Sequence, residues 1–123
     1  FDRAESAFVS AYRKHSSAEK FDIHVEYMTS PKLDNRILIL SDPMLATGSS
    51  MALVYKAILQ QGIPKRVIVV SAIATPTALE HIQKTLPPNT EYYIGAIDEE
   101  LTAESYIVPG LGDAGDLAYG VKV

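Results

Sequence analysis

Residues 37–50, ILILSDPMLATGSS, decide the fold, because they join an apolar run to a polar loop and to the start of a helix. The run at 37–40 consists of four aliphatic side chains, which is typical of a parallel strand covered on both faces. The loop at 41–50 leads into residues 51–61, whose composition predicts a helix that Gly62 and Pro64 end. Strand, loop and helix in this order predict an α/β unit.

The segments on either side extend this unit into a sheet. Residues 67–70 predict a second buried strand, 77–86 a second helix and 91–97 a third strand. Alternating apolar and polar residues at 21–28 predict a half-exposed strand, and three- and four-residue apolar spacing at 1–14 predicts a helix. We therefore expect an α/β fold, a parallel sheet flanked by helices, in a single domain over residues 1–123.

Composition excludes several classes of function. The chain has no cysteine, so thiol catalysis, iron–sulfur clusters, cysteine zinc sites and disulfides are excluded. Its 15 acidic residues against 11 basic ones leave a net charge of −4, which argues against a general nucleic-acid surface. No apolar run reaches the ~20 residues of a membrane span. We expect a cytoplasmic protein that binds neither membranes nor nucleic acid.

The loop at 41–50 carries the first candidate site. In open α/β sheets, ligands bind at the carboxyl ends of the strands, and a helix start favours phosphate. Thr47, Gly48, Ser49 and Ser50 offer hydroxyl and backbone donors, while the Asp42 carboxylate can accept hydrogen bonds from two vicinal hydroxyls. The lysine and glycine spacing of a Walker A loop is missing. The alternative is an ordinary helix start with Thr47 or Ser49 as the N-cap.

A glycine-rich tail forms the second candidate site. Four of the seven glycines lie between residues 110 and 120, interleaved with Asp113 and Asp116. Glycine lets a backbone approach a ligand closely. The alternative is a surface turn.

These two segments resemble one known family. Residues 42–48, DPMLATG, are similar to the loop that binds 5-phosphoribosyl 1-diphosphate (PRPP) in uracil phosphoribosyltransferases, which belong to the type I phosphoribosyltransferases. Residues 106–116, YIVPGLGDAGD, resemble the uracil-binding segment of the same family. The resemblance extends over essentially all 123 residues and implies a type I phosphoribosyltransferase-like fold. The chain departs from the family at Ser49, where a second glycine is usual, and at Leu117, where arginine is common.

The start of the chain also differs from the family, whose members are longer on this side and carry an Arg-Ala-Gly-Leu loop that contacts diphosphate. The chain begins with Phe1 and contains no such loop. We therefore expect an amino-terminal segment to be missing, which leaves open whether the 123 residues are active alone.

The resemblance implies a pyrimidine salvage transferase that converts uracil and PRPP to UMP and diphosphate, with Mg²⁺ held mainly through PRPP rather than by direct protein ligands. The implied catalytic residues are Asp42 and Asp113. The implied PRPP-binding residues are Arg13, Asp42, Pro43, Met44, Leu45, Ala46, Thr47, Gly48, Ser49, Ser50 and Asp113. The implied uracil-binding residues are Tyr106, Ile107, Gly112, Asp113 and Ala114.

Two other functions stay open: an RNA-binding regulator of pyrimidine genes, and a type I transferase for another base. The resemblance also implies a homodimer or homotetramer and leaves GTP activation open. For the three histidines, His15, His24 and His81, we expect surface or loop positions, and we assign no chemistry to Asp98.

Overall fold

The computed structural model describes the backbone of residues 1–17 and 20–121, and the side chains of residues 1–10 and 27–121. It contains seven strands and three helices within these ranges. The strands are β1 (Phe8–Ser17), β2 (Lys20–Thr29), β3 (Ile37–Leu45), β4 (Arg66–Ala74), β5 (Glu91–Ile97), β6 (Glu100–Leu101) and β7 (Ile107–Val108). The helices are α1 (Ser49–Ile58), α2 (Pro76–Thr85) and α3 (Ala114–Tyr119).

The centre of the fold is a parallel sheet in the order β3-β4-β5. Leu40 lies beside Val69 in the register, and Val69 lies beside Tyr92. Helices α1 and α2 connect these strands, as parallel neighbours require a crossover. The predicted α/β class, with a parallel sheet flanked by helices, is confirmed.

One hydrophobic core joins the sheet to both helices. Leu38, Leu40, Val67 and Val69 point from the strands into the same buried cluster as residues of α1 and α2. The helical members of this cluster are Met51, Tyr55, Ile58, Ala78 and Ile82. Burying each Leu, Ile or Val side chain contributes about 1.5–3 kcal/mol to the free energy of unfolding, so this core stabilises the sheet and the loops at its edge.

The opposite face of the sheet contradicts the expectation that the apolar run is covered on both sides. Ile37 and Ile39 are 50% and 41% exposed, and Val70 and Tyr93 on the neighbouring strands are also exposed. Alternate residues of a strand point to opposite faces, and α1 and α2 both pack on the other face. Apolar composition alone could not show which faces of the strand are covered.

The helix predicted over residues 1–14 is wrong. Residues 8–17 form β1, which pairs antiparallel with β2, with Phe8 opposite Thr29 and Val9 opposite Met28. Hydrogen bonding to a partner strand overrides the helical spacing of apolar residues such as Phe8 and Ala11, a spacing that specifies no partner. The strand predicted at 21–28 is confirmed within β2.

The ends of the central elements also differ from the prediction. Strand β3 continues through Leu45, so residues 41–45, predicted in the loop, are still part of the strand. Helix α1 is followed by a 3₁₀ turn, Leu59–Gln61, before Gly62. Helix α2 begins at Pro76, because Thr75 is its N-cap and proline is suited to the first helical position.

Candidate active site

The connections after β3, β4 and β5 meet at one edge of the sheet, because parallel strands end on the same side. Two backbone hydrogen bonds join them there. The Thr75 N–H donates to the Leu45 carbonyl at 3.0 Å, and the Asp98 N–H donates to the Ala74 carbonyl at 3.0 Å. This is the edge at which open α/β sheets bind ligands.

Asp42 lies near the end of β3, beside the buried Ser71 of β4. Its Oδ1 atom accepts a hydrogen bond from the Met44 N–H at 2.9 Å. Burial raises the pKa of the Asp42 carboxyl above its ordinary value of 3.8, and the Met44 hydrogen bond partly opposes that shift. The structure thus places a half-buried carboxyl inside the predicted loop, residues 41–50 (the phosphate loop), ahead of Gly48 and the start of α1.

Gly48 forms the turn between this strand and α1. Its φ of +73° lies in the left-handed region, and it is the N-cap of α1. A Cβ atom at this position would lie 2.8 Å from both the Ala78 carbonyl oxygen and the Ile82 Cγ2 atom of α2. Only glycine fits here without strain, since it tolerates positive φ and leaves room for α2.

The start of α1 has no side-chain cap, so the alternative in which Thr47 or Ser49 caps this helix is wrong. The Thr47 hydroxyl lies instead 3.3 Å from the Ser49 hydroxyl and accepts a long bond from the Ser49 N–H at 3.4 Å. The first N–H groups of a helix lack intrahelical partners and favour anions. The loop therefore carries donors suited to a phosphate.

Thr75 and His81, at the start of α2 and within it, hydrogen-bond to this loop, and the sequence assigned neither residue a role there. The Thr75 hydroxyl donates to the Ala46 carbonyl at 2.8 Å and accepts from the Ala78 N–H at 3.0 Å. The His81 Nδ1 atom lies 3.0 Å from the Thr47 carbonyl oxygen. Thr75 was recognisable as an N-cap before Pro76. No sequence signal marks His81, because its partner is 34 residues away.

Two concave spaces border the loop. A small cavity of about 50 Å³ lies at the loop itself. Its lining residues are Asp42, Met44, Leu45, Ala46, Thr47, Gly48, Ser50 and Met51. A wider groove of about 960 Å³ runs along β3 and α1 beneath residues 1–9 and reaches Asp42 and Ser50. Asp42, Ser50 and Met51 therefore border both spaces.

The predicted PRPP-binding residues differ in what they present to this space. Pro43 is exposed and Met44 is half-buried, whereas the Leu45 side chain is 2% exposed and belongs to the core. Leu45 can thus contact a ligand only through its main chain. The side chain of Arg13 lies outside the described residues, as do those of His15 and His24.

The predicted uracil-binding residues lie in the tail, around β7 and the start of α3. The Tyr106 hydroxyl and the Asp113 Oδ2 atom lie 3.4 Å apart. Asp113 is also the N-cap of α3, where its Oδ1 atom accepts from the Asp116 N–H at 3.0 Å. Ile107 is 1% exposed, so its side chain packs inward and only its backbone can face a ligand. Gly112 is exposed, and Ala114 is half-buried.

Asp98 fastens this tail to the sheet. It follows β5 directly, and its Oδ2 atom accepts a hydrogen bond from the Gly110 N–H at 2.9 Å. The sequence assigned Asp98 no chemistry, although it follows the strand predicted at 91–97 as Asp42 closely follows the apolar run at 37–40. Gly110 is required beside it, because a Cβ there would lie 1.9 Å from the Ile107 carbonyl oxygen.

Within the part of the chain that the structure describes, no cluster of three or more His, Cys, Asp or Glu side chains could hold a metal ion. Mg²⁺ is usually bound by one or two carboxylates together with substrate phosphates, and Asp42 is the carboxylate that lines the cavity at the loop. No helix among the described residues is long and apolar enough to cross a membrane.

The sheet, its crossover helices and the loop after β3 define a type I phosphoribosyltransferase-like α/β protein. The solved structure of the AQ2163 protein from Aquifex aeolicus has the same fold. It superposes with a TM-score of 0.81 at 37% identity, covering 95% of this chain and 54% of that one.

The sequence comparisons identify the family within this class. The family model for uracil phosphoribosyltransferase matches residues 3–121. A uracil phosphoribosyltransferase from Porphyromonas gingivalis is 56% identical over the whole chain, which covers 57% of that relative. One from Thermococcus gammatolerans is 39% identical and is covered to 54%. The chain belongs to the uracil phosphoribosyltransferase family, and it spans little more than half the length of these relatives.

Proposed function

We propose that the protein is a pyrimidine salvage transferase that converts uracil and PRPP to UMP and diphosphate. The observation that carries the proposal is the loop after β3. A left-handed Gly48 and an uncapped α1 present donors in the same cavity that the half-buried Asp42 lines. A set of N–H donors for a phosphate, next to a carboxylate that can accept hydrogen bonds from a diol, matches the two ends of a ribose 5-phosphate unit. The relatives named uracil phosphoribosyltransferase support the choice of this reaction.

In this proposal residues 46–50 bind the 5′-phosphate of PRPP, and Asp42 binds the ribose hydroxyls. Pro43, Met44 and the main chain of Leu45 line the approach to the ribose. The bond between C1′ and the diphosphate oxygen breaks, with its electron pair leaving on diphosphate. Positive charge then develops on the ribose, as in glycoside cleavage. A carboxylate at Asp42 stabilises that charge.

Uracil completes the reaction by forming the N1–C1′ bond and releasing its N1 proton to solvent water. We assign its recognition to the backbone around Ile107, Gly112 and Ala114, with Tyr106 and Asp113 beside it. Uracil presents acceptor, donor and acceptor groups along one edge, and cytosine reverses two of them. Each buried group left unpaired costs about 1–3 kcal/mol, which is enough to reject cytosine.

The leaving diphosphate needs positive charge, which we assign to Arg13 and to Mg²⁺ bound mainly through PRPP. Arginine presents a fixed fork of donors that fits phosphate oxygens. Bound Mg²⁺ supplies further neutralisation of the diphosphate charge.

We also propose a cytoplasmic homodimer or homotetramer that binds neither membrane nor nucleic acid, and we leave open whether GTP activates it. Support for further protein contacts comes from the exposed apolar sheet face of Ile37, Ile39, Val70 and Tyr93. The net charge of −4 supports the absence of a nucleic-acid surface.

The proposal is tested by measuring UMP formation from uracil and PRPP with the natural protein that carries these residues. Asp42→Ala and Thr47→Ala should each lower kcat/KM by about 10²–10³-fold, because they remove groups that act on the ribose and its phosphate. Lys84→Ala, on the exposed side of α2, is the matched control and should retain full turnover. Absence of UMP formation by the parent, or turnover in the Asp42→Ala variant equal to the control, contradicts the proposal.

A further inference from the structure

Three successive carbonyls of the phosphate loop are bonded from the direction of α2. The Leu45 carbonyl accepts from the Thr75 N–H at 3.0 Å, and the Ala46 carbonyl accepts from the Thr75 hydroxyl at 2.8 Å. The Thr47 carbonyl oxygen lies 3.0 Å from Nδ1 of His81. A buried threonine thus holds two of the carbonyls, and an exposed histidine holds the third.

The orientation of these carbonyls sets the direction of the loop's donors. In a planar trans peptide, the C=O and N–H groups point in opposite directions. Carbonyls 45, 46 and 47 that point toward α2 therefore turn the N–H groups of Ala46, Thr47 and Gly48 away from α2. The residues that carry these three N–H groups, Ala46, Thr47 and Gly48, line the small cavity that Asp42 also lines.

The peptide between Thr47 and Gly48 is the one in this loop that most needs support. Rotating it changes the φ of Gly48, and glycine accepts positive and negative φ almost equally. A Cβ would have restricted that rotation, but α2 leaves no space for one, since Ala78 and Ile82 lie 2.8 Å from its position. The contact from His81 supplies the restraint that a side chain at residue 48 cannot.

We propose that His81 is a positioning residue for phosphate binding. Its Nδ1–H donates to the Thr47 carbonyl and thereby holds the Gly48 N–H toward the bound phosphate. The assignment rests on the proposed function and deepens its PRPP site. A neutral histidine carries one ring proton, so this hydrogen bond selects the tautomer with the proton on Nδ1.

The test compares two substitutions of His81 with a control on the same helix. His81→Leu removes the donor, whereas His81→Asn retains an N–H donor close to the position of Nδ1. Gln83→Leu makes the same kind of change at an exposed residue. The natural protein and each variant are titrated with ribose 5-phosphate by calorimetry, and their melting temperatures are recorded. The ¹⁵N chemical shifts of the His81 ring report its tautomer.

We expect His81→Leu to weaken ribose 5-phosphate binding by about 3- to 10-fold, the size of one net hydrogen bond. His81→Asn should recover most of that loss, Gln83→Leu should bind like the parent, and the parent should show the Nδ1–H tautomer. Three results would each overturn the assignment of His81 and leave the proposed function standing: parent-like binding by His81→Leu, equal losses in the Leu and Asn variants, or an Nε2–H tautomer. Failure of the parent to bind ribose 5-phosphate would overturn the proposed function together with it.

Discussion

The phosphate loop and the glycine-rich tail carry the two halves of the proposed site, and they are built differently. The loop lies between β3 and α1, against α2, with Gly48 buried and Thr75 1% exposed behind it. The tail consists of two-residue strands and a six-residue helix whose Leu117 and Tyr119 are 73% and 93% exposed. The core therefore shapes the phosphate loop, whereas hydrogen bonds such as that from the Gly110 N–H to Asp98, rather than this core, shape the tail.

Gly48 and Gly112 provide the sharpest test of this contrast, because both have a φ of +73°. Alanine at either position pays about 1–2 kcal/mol for the left-handed conformation. Only at Gly48 does the added Cβ also meet α2, at 2.8 Å, while nothing lies within 4 Å at Gly112. Overpacking adds about 1–3 kcal/mol, so Gly48→Ala should lower the free energy of unfolding more than Gly112→Ala.

Urea unfolding of the two variants measures this difference, with the parent protein as reference. Equal losses of stability would show that the loop is no more constrained by the core than the tail is.

The two N-caps provide a second test, with a smaller expected effect. Thr75→Val keeps the shape of a buried side chain but removes the bonds to the Ala46 carbonyl and the Ala78 N–H. Leaving buried partners unpaired costs about 1–3 kcal/mol. Asp113→Ala removes the cap of the exposed α3, a change that typically costs about 1 kcal/mol.

Thermal unfolding of both cap variants, with Thr75→Ser as the variant that retains a hydroxyl, checks the order. The contrast between the regions fails if Asp113→Ala destabilises the protein more than Thr75→Val, or if Thr75→Ser behaves like Thr75→Val.

The smallest expected effect is a pH dependence specific to the loop. Because burial raises the pKa of Asp42 in the folded protein, the unfolded chain loses this proton first as the pH rises. Stability from this group therefore falls over a window that begins near the ordinary value of 3.8 and ends at the raised pKa, and stays constant above it.

Asp42→Asn keeps the acceptor for Met44 but removes the ionisation. The free energy of unfolding of both proteins is measured as a function of pH. Across that pH window the Asp42→Asn variant should gain stability relative to the parent. A difference that does not change with pH would mean that ionised Asp42 is no less favourable in the fold than in the unfolded chain.

Sequence reasoning succeeded where one local pattern decides the structure. The run at 37–40 and Gly62 predicted a strand and the end of a helix without knowledge of partners. The glycine-rich residues 110–120, in contrast, contain helix α3, which was not predicted. It failed at residues 1–14, because strand pairing with β2 is a long-range contact that helical spacing does not encode. It also missed His81 and Asp98, whose partners Thr47 and Gly110 lie 34 and 12 residues away.

The sequence by itself determined the order of the strands and helices over residues 37–97, the placement of Asp42 and Gly48 between an apolar run and a helix, and the family. These follow from residue types at short spacing, which set local backbone preferences and side-chain chemistry. Only the tertiary structure decided which sheet face the helices cover, that β1 is a strand, and that α2 holds the phosphate loop through Thr75 and His81. Those features depend on groups far apart in the chain, which meet only when the sheet and its helices pack.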